Sequence, residues 1–207
     1  MLTLYTWDTP NGDKPAILLE ELGLDYTLER IDISKGDQHS DAFRAVNPNG
    51  KIPALIDGDL TLFESGAILM HLAEKHGRFL PTEGKARAET LSWTFWQVGG
   101  LGPMIGQWGH FSRLEQKHDY SIERYLAESI RLLEVMEGRL VQVPYLGGEE
   151  YTIADMMSYP WVVGGYRFMS KASPDRLSPL TAVRAWVDRV GAREAVQRAE
   201  ARMKAKD

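Results

Sequence analysis

Residues Trp7-Asp8-Thr9-Pro10-Asn11-Gly12-Asp13-Lys14 decide how the rest of the chain is read. Before them Leu2 and Leu4 alternate with Thr3 and Tyr5, the period of a strand; after them Ile17, Leu18 and Leu22 recur at helical spacing. Pro10 and Asn11-Gly12 are the punctuation, so the stretch is a tight loop leading from a strand into a helix N-terminus. Such a junction turns backbone N–H groups and the positive end of a helix dipole toward whatever occupies the loop, which favours an anion. Thr9 and Asn11 bring a hydroxyl and an amide to the same place. A thiolate is an anion, and donors aimed at it lower the pKa of its thiol. Thr, Pro, Asn and Gly are also what any strand-to-helix turn prefers, so the remainder of the chain has to decide.

The 207 residues include no cysteine, which excludes disulfides, thiolate–metal sites and a cysteine nucleophile. Any thiol chemistry must be brought by a ligand. Hydrophobic residues at 43% and charged residues at 26% describe an ordinary globular protein with material for one large or two small domains. A net charge of -5 without clustered Lys and Arg argues against a nucleic-acid surface. No apolar run approaches the roughly 18 residues of a membrane span. The N-terminus enters a strand pattern without a basic region and signal core, so no export is expected and the chain is assigned to the cytoplasm. The five histidines form no metal pattern: His71 and His76 do not share a helix face, and His39, His110 and His118 are scattered.

Outward from the opening loop, the first eighty residues alternate strand and helix. Leu2 to Trp7 reads as a strand and Lys14 to Leu22 as a helix closed by Gly23. Tyr26 to Ile33 is a second strand, and Gln38 to Val46 is weakly helical. The turn formers Asn47-Pro48-Asn49-Gly50-Lys51-Ile52-Pro53 lead into an apolar strand at Ala54, Leu55 and Ile56. Asp57-Gly58-Asp59 then makes a hairpin to Leu60–Phe63. Ser65 can cap a helix that runs to His76 and stops at Gly77. The order β-α-β, linking helix, β-β-α is that of a thioredoxin-like sheet. Pro53, just ahead of a strand, fits either a cis Ile52–Pro53 bond that turns the Ile52 backbone toward Thr9, or a trans proline that opens the strand.

Residues 81–84 read as a linker, and every later pattern is helical. Lys85 to Trp108 carries Leu91, Phe95, Val98 and Leu101, with Gly99, Gly100, Gly102 and Gly106 in its second half. Glycine costs about 1 kcal/mol in a helix interior, so either a close helix or subunit approach, or a kink beside a ligand groove, is implied. Ser121 to Leu140 follows. Thr152-Ile153-Ala154-Asp155 is a capping box, and Ser178-Pro179 places a cap and a first-turn proline before Leu180, Val183 and Trp186. A tail helix from Arg193 ends the chain. The expected division is 1–80 α/β, 81–84 linker, and 85–207 all-α.

Thr9-Pro10-Asn11-Gly12 after the first strand, Asn47-Pro48-Asn49-Gly50-Lys51-Ile52-Pro53-Ala54 before the third, and Leu62-Phe63-Glu64-Ser65-Gly66-Ala67-Ile68 after the fourth, in this two-part order, resemble the cytosolic glutathione transferases over essentially the whole chain. Together with Phe95-Trp96-Gln97-Val98-Gly99-Gly100-Leu101-Gly102-Pro103-Met104, Thr9–Gly12 looks like the nu class. That class comprises glutathione-dependent disulfide-bond oxidoreductases and is related to prion-type regulators.

The resemblance implies a glutathione transferase fold, bound glutathione as co-substrate, no metal, and a homodimer. It implies that Glu64 and Ser65 take the two ends of the γ-glutamyl group. Ile52, before Pro53, would pair its backbone with the cysteinyl part, and Lys51 and Gln38 would meet the glycine carboxylate. Lys14 would help hold the anionic ligand. Arg131 either reaches a second subunit's site or is a solvated helix-face arginine. The sulfur would be held by Thr9 and Asn11; Tyr5 lies four residues earlier on the strand, and Trp7 offers only an indole N–H. The expected activity is reduction of small disulfides by glutathione, with conjugation of glutathione to an electrophile and a low-turnover binding protein as the rivals.

Overall fold

The computed structural model describes residues 1–205, which form two compact units. One comprises Met1–Thr82 with the chain from Ala192 on, the other Glu83–Gly191.

In the first unit, β1 (Leu2–Thr6), α1 (Pro10–Leu22) and β2 (Tyr26–Arg30) make a β-α-β start. A short 3-10 turn (Asp37–His39) and α2 (Asp41–Val46) lead to β3 (Ala54–Asp57), β4 (Leu60–Phe63) and α3 (Ser65–His76). The sheet order is β2-β1-β3-β4, with β1 parallel to β2 and the other pairs antiparallel. This is the thioredoxin-like sheet that the strand and helix periods predict. Leu4 and Leu55 are register partners and fully buried. The sheet is packed by α1 and α3, which bury Ile17, Leu18, Ile68, Leu69 and Leu72. Both helices end on a left-handed glycine, Gly23 at φ 67° and Gly77 at φ 63°.

The last helix, α10 (Glu194–Lys204), packs on α1 within this unit, whereas the sequence assigns 85–207 to one helical domain. The reason is a buried apolar face, Ala195, Val196, Ala199 and Met203, with a set of charged contacts between the two ends of the chain. Arg30 donates to the carbonyls of Arg202 and Met203. Arg193 bonds both oxygens of Glu21, and Arg198 bonds Glu20. Arg202 stands 3.9 Å above the Tyr26 ring. Periodicity is a local signal and carries no trace of partners that far apart. Lys206 and Asp207, the end of the expected tail helix, lie outside the described residues.

The second unit contains α4 (Gly84–Trp96), a π turn (Gln97–Leu101), α5 (Gly102–Arg113), α6 (Asp119–Leu140), α7 (Ile153–Ala172), α8 (Pro174–Leu177) and α9 (Thr181–Gly191). Of the two readings of the glycine-rich stretch, close helix approach holds. The helix widens into a π turn at Gln97–Leu101, and close approach explains the glycines after it. A Cβ on Gly106 would lie 3.1 Å from the Trp161 ring of α7, and one on Gly165 would lie 2.8 Å from Ile105.

The Thr152–Asp155 capping box forms, and Asp155 does more than cap. Fully buried, it accepts from the Leu146 and Thr152 amides and from the Trp186 indole at 2.8 Å. Burial nonetheless pushes its carboxyl up to about 6. The expected Ser178-Pro179 start of the next helix is displaced. Residues Pro174–Leu177 form their own turn, α9 begins at Thr181, and its first N–H groups are closed by a carboxylate from α6: Glu137 accepts from Ala182 and Val183 at 3.0 and 2.8 Å.

Candidate active site

The register of the sheet assembles the site. Tyr5 pairs with Ala54, and Ala54 with Phe63. One residue beyond that row, β1 passes into Thr6 and Trp7, β3 is preceded by Pro53, and β4 passes into Glu64. The three sequence motifs therefore meet at one end of the sheet. Because β1 and β2 run parallel, with Thr6 opposite Arg30, the segment that carries Gln38 leaves from that end too.

Thr9 is the N-cap of α1. Its hydroxyl accepts from the Gly12 amide at 3.2 Å, and its O–H points to the Trp7 carbonyl at 3.4 Å. That outgoing bond is long, so the proton can turn to a better acceptor at little cost. Asn11, in the first turn of the same helix, accepts at Oδ1 from the Lys14 ammonium at 2.9 Å. Lys14 itself is only 3% exposed. Burial pushes its ammonium down to about 7, against the opposing pull of the Glu64 carboxylate. Lys14 thus connects the Thr9–Asn11 loop to Glu64 from inside, rather than presenting its charge at the surface.

Glu64 is exposed and holds a positive-φ backbone, φ 70° and ψ 117°, as the N-cap of α3, without a side-chain capping bond. A non-glycine residue with positive φ is strained, and such strain clusters at functional positions. Ser65, expected as the cap, is the first residue of the helix proper and is nearly buried. Glu64 and Ser65 are thus consecutive residues at the N-terminus of α3, one able to accept and the other to donate.

The Ile52–Pro53 bond is cis; Pro53 is buried, Ile52 half-buried and Lys51 exposed. The turn before it is held by Asn47, a residue the sequence marks only as a turn former. Asn47 is 2% exposed and donates to the Lys51 carbonyl, while its Oδ1 accepts from Asn49. An Asx turn at Asn47-Pro48-Asn49 is the signal that could have singled it out. Gly50, at φ 62°, lies so close to Gln38 that a Cβ would be 3.1 Å from the Gln38 carbonyl. Gln38 and Lys51 are thus brought to the same loop. Tyr5 packs its ring on Phe43, 6.1 Å between centroids.

Two further groups escape a sequence reading. Gly12 is pressed onto β1 so tightly that a Cβ would overlap the Trp7 carbonyl and the Thr6 hydroxyl. Asp13, one residue on, has its carboxyl pushed up to about 7, chiefly by burial, with Asp8 and Glu200 adding to the shift and Lys204 opposing it.

In the second unit, Arg131 lies on α6 and makes a bidentate pair with Glu128 at 2.8 and 2.7 Å. It borders a cavity of about 900 Å³ lined also by Met104, Tyr120, Arg124 and Tyr125. Among the described residues no group of three His, Asp or Glu side chains could hold a metal ion, and no helix is long and apolar enough to cross a membrane.

The first unit thus gathers Thr9 and Asn11 at the N-terminus of α1, the cis Ile52–Pro53 turn with Lys51, and Glu64-Ser65 at the start of α3 toward one end of its sheet. Residues 1–74 match the glutathione S-transferase N-terminal domain and residues 102–194 the C-terminal domain. The chain is 46% identical over 207 residues to the disulfide-bond oxidoreductase YfcG of Escherichia coli, covering 96% of this chain and 94% of that protein. Among solved structures, a glutathione transferase family member from Pseudomonas fluorescens with two glutathione bound is 39% identical at a TM-score of 0.91, covering 96% and 92% of the two chains. A Pseudomonas putida glutathione transferase with one glutathione disulfide per subunit is 38% identical at 0.91, covering 96% and 90%. Matched across nearly its full length, the chain belongs to the glutathione transferase family.

Proposed function

We propose that this protein reduces small disulfides with glutathione, using the ligand's thiolate where other enzymes use a cysteine of their own. The observation that carries this reading is the N-terminus of α1, where the Thr9 hydroxyl and the Asn11 amide stand together in a chain without a single cysteine. The first glutathione thiolate attacks one sulfur of the substrate; that S–S bond breaks and the departing thiolate takes up a proton. A second glutathione thiolate then attacks the glutathione sulfur of the mixed disulfide. Two glutathiones supply the two electrons and leave as their disulfide, while the substrate leaves as two thiols. The protein supplies thiolate stabilisation and alignment of the sulfurs.

In this reading Glu64 and Ser65 hold the γ-glutamyl end, the Ile52 backbone ahead of Pro53 pairs with the cysteinyl unit, and Lys51 and Gln38 meet the glycine carboxylate. The protein works as a homodimer in the cytoplasm, where glutathione is plentiful, and Arg131 serves the site of a second copy. Support for a dimer is the apolar area left on α4, the π turn and α6, where Phe95 is 58% exposed, Val98 39% and Val135 40%.

The test is steady-state reduction of hydroxyethyl disulfide with glutathione, coupled to glutathione reductase, beside conjugation to chlorodinitrobenzene, each repeated on Asn11→Ala. Disulfide turnover well above conjugation, collapsing in the variant, is the expected result. Conjugation in the lead would overturn it in favour of a transferase, and binding without either reaction would make the protein a glutathione-binding regulator.

A further inference from the structure

Lys14 is held where a positive charge is costly. At 3% exposure it offers a ligand almost no surface, and it donates to Asn11 Oδ1 at 2.9 Å. In its charged form Lys14 is a donor only, and the amide atom that faces it is the oxygen. The oxygen and nitrogen of a carboxamide lie on opposite sides of Cγ. With Oδ1 against Lys14, the Nδ2 group faces away from it, and a donor is what a thiolate needs from Asn11. Turned the other way, the amide would set N–H groups against an ammonium and offer the sulfur a lone pair. The charged group acting on Lys14 from outside α1 is Glu64, at the start of α3.

We propose that Lys14 is a positioning residue for the sulfur, fixing the Asn11 amide so that its N–H donors face the glutathione thiolate, with its positive charge behind that amide. This rests on the reading that Asn11 donates to the thiolate. It differs from the expectation drawn from the sequence, in which Lys14 holds the ligand itself. It also accounts for the burial: a charge withheld from water polarises Asn11 more strongly than a hydrated one.

The test is the apparent pKa of bound glutathione's thiol, read from thiolate absorbance in the ultraviolet, together with kcat/KM for a small disulfide. Both are measured in the native protein, Lys14→Met, Asn11→Ala and the double variant. Lys14→Met fills the same space without a charge. It should raise the thiol pKa by about one unit and lower kcat/KM roughly tenfold, with glutathione's dissociation constant nearly unchanged. In the Asn11→Ala background the same substitution should change kcat/KM by less than about twofold, because the group it orients is gone. Lys14→Gln keeps an N–H donor for Oδ1 and should recover part of the loss.

Weaker glutathione binding with an unchanged thiol pKa would overturn the proposal and make Lys14 a direct ligand. Equal losses in both backgrounds, or no recovery in Lys14→Gln, would overturn the orienting role. If the native protein forms no thiolate at all, it is the disulfide-reductase reading that fails.

Discussion

Arg30, the last residue of β2, donates to the backbone carbonyl of Met203 at 3.0 Å, 173 residues further along the chain. Its second terminal nitrogen donates to Arg202 at 2.9 Å and also reaches Ala205. The last carbonyls of a helix have no partner within it, and a cation there is favoured by the dipole. Arg30 therefore serves as the C-terminal cap of α10 and ties it to the sheet. Arg30→Ala should cost about 1–2 kcal/mol, with the loss concentrated in α10. Hydrogen exchange should show α10 amides losing protection while those of β1 and α3 keep theirs. Uniform loss over the whole unit would contradict a local cap.

Gly12 is a glycine for reasons of space. It lies in the body of α1, and no left-handed backbone is recorded for it. A Cβ would nevertheless strike the Trp7 carbonyl, which is backbone, and the Thr6 hydroxyl, which is buried. The helix would have to lift from β1, and its Gly12 amide would leave the Thr9 hydroxyl. Gly12→Ala should therefore destabilise by about 1–3 kcal/mol and lower disulfide turnover further than glutathione affinity, because Glu64, Ser65 and Lys51 are on other segments. Isothermal titration beside the coupled assay separates the two effects. A variant with native turnover would show that the first turn of α1 tolerates displacement.

Glu137 closes α9 from a different helix. Its two carboxylate oxygens accept from successive amides, Ala182 and Val183, the arrangement an N-cap side chain normally supplies from the neighbouring residue. Charge-assisted bonds of this kind contribute about 1.5–3 kcal/mol each before solvent screening. Glu137→Ala should cost about 2 kcal/mol in a thermal melt and expose the first turn of α9, whereas Ser178→Ala should cost little. The reverse ranking would return the cap to Ser178.

These cases mark how far the sequence is legible. Elements defined by neighbours in the chain are read correctly: α3 from Ser65 to His76 with its Gly77 stop, and the Thr152–Asp155 box, because period and capping act within a few residues. The positions of the Thr9–Gly12, Asn47–Pro53 and Glu64-Ser65 segments are legible for the same reason, each being a short turn at the end of a strand. What escapes is set by contact across the fold. Glu137 reaches α9 from α6, Arg30 and Arg193 draw α10 onto α1, and Lys14 is carried inside although its charge suggests the surface. Local propensity has no term for such partners.

The carboxyl of Asp13 makes a pH signature that runs opposite to the usual acid denaturation. Its folded pKa is about 7, above the ordinary value of 3.8. The group therefore prefers to be protonated in the folded protein, and its contribution to stability is fully present below about pH 4 and lost as the pH rises through about 7. A three-unit difference corresponds to about 4 kcal/mol at most. Part is returned because a negative charge in the first turn of α1 is favoured by the dipole, by about 0.3–1 kcal/mol. Asp13→Asn removes the ionisation while keeping the shape. It should raise the melting temperature clearly at about pH 8 and by much less near pH 4, where the native carboxyl is already mostly protonated in the fold. Asp8 and Glu200 add to the upward shift and Lys204 opposes it. Lys204→Met should therefore enlarge the difference between the two pH values, and Glu200→Gln should shrink it. An Asp13→Asn gain that is equal at both pH values would mean that packing, and not the buried charge, sets the stability of this end of α1.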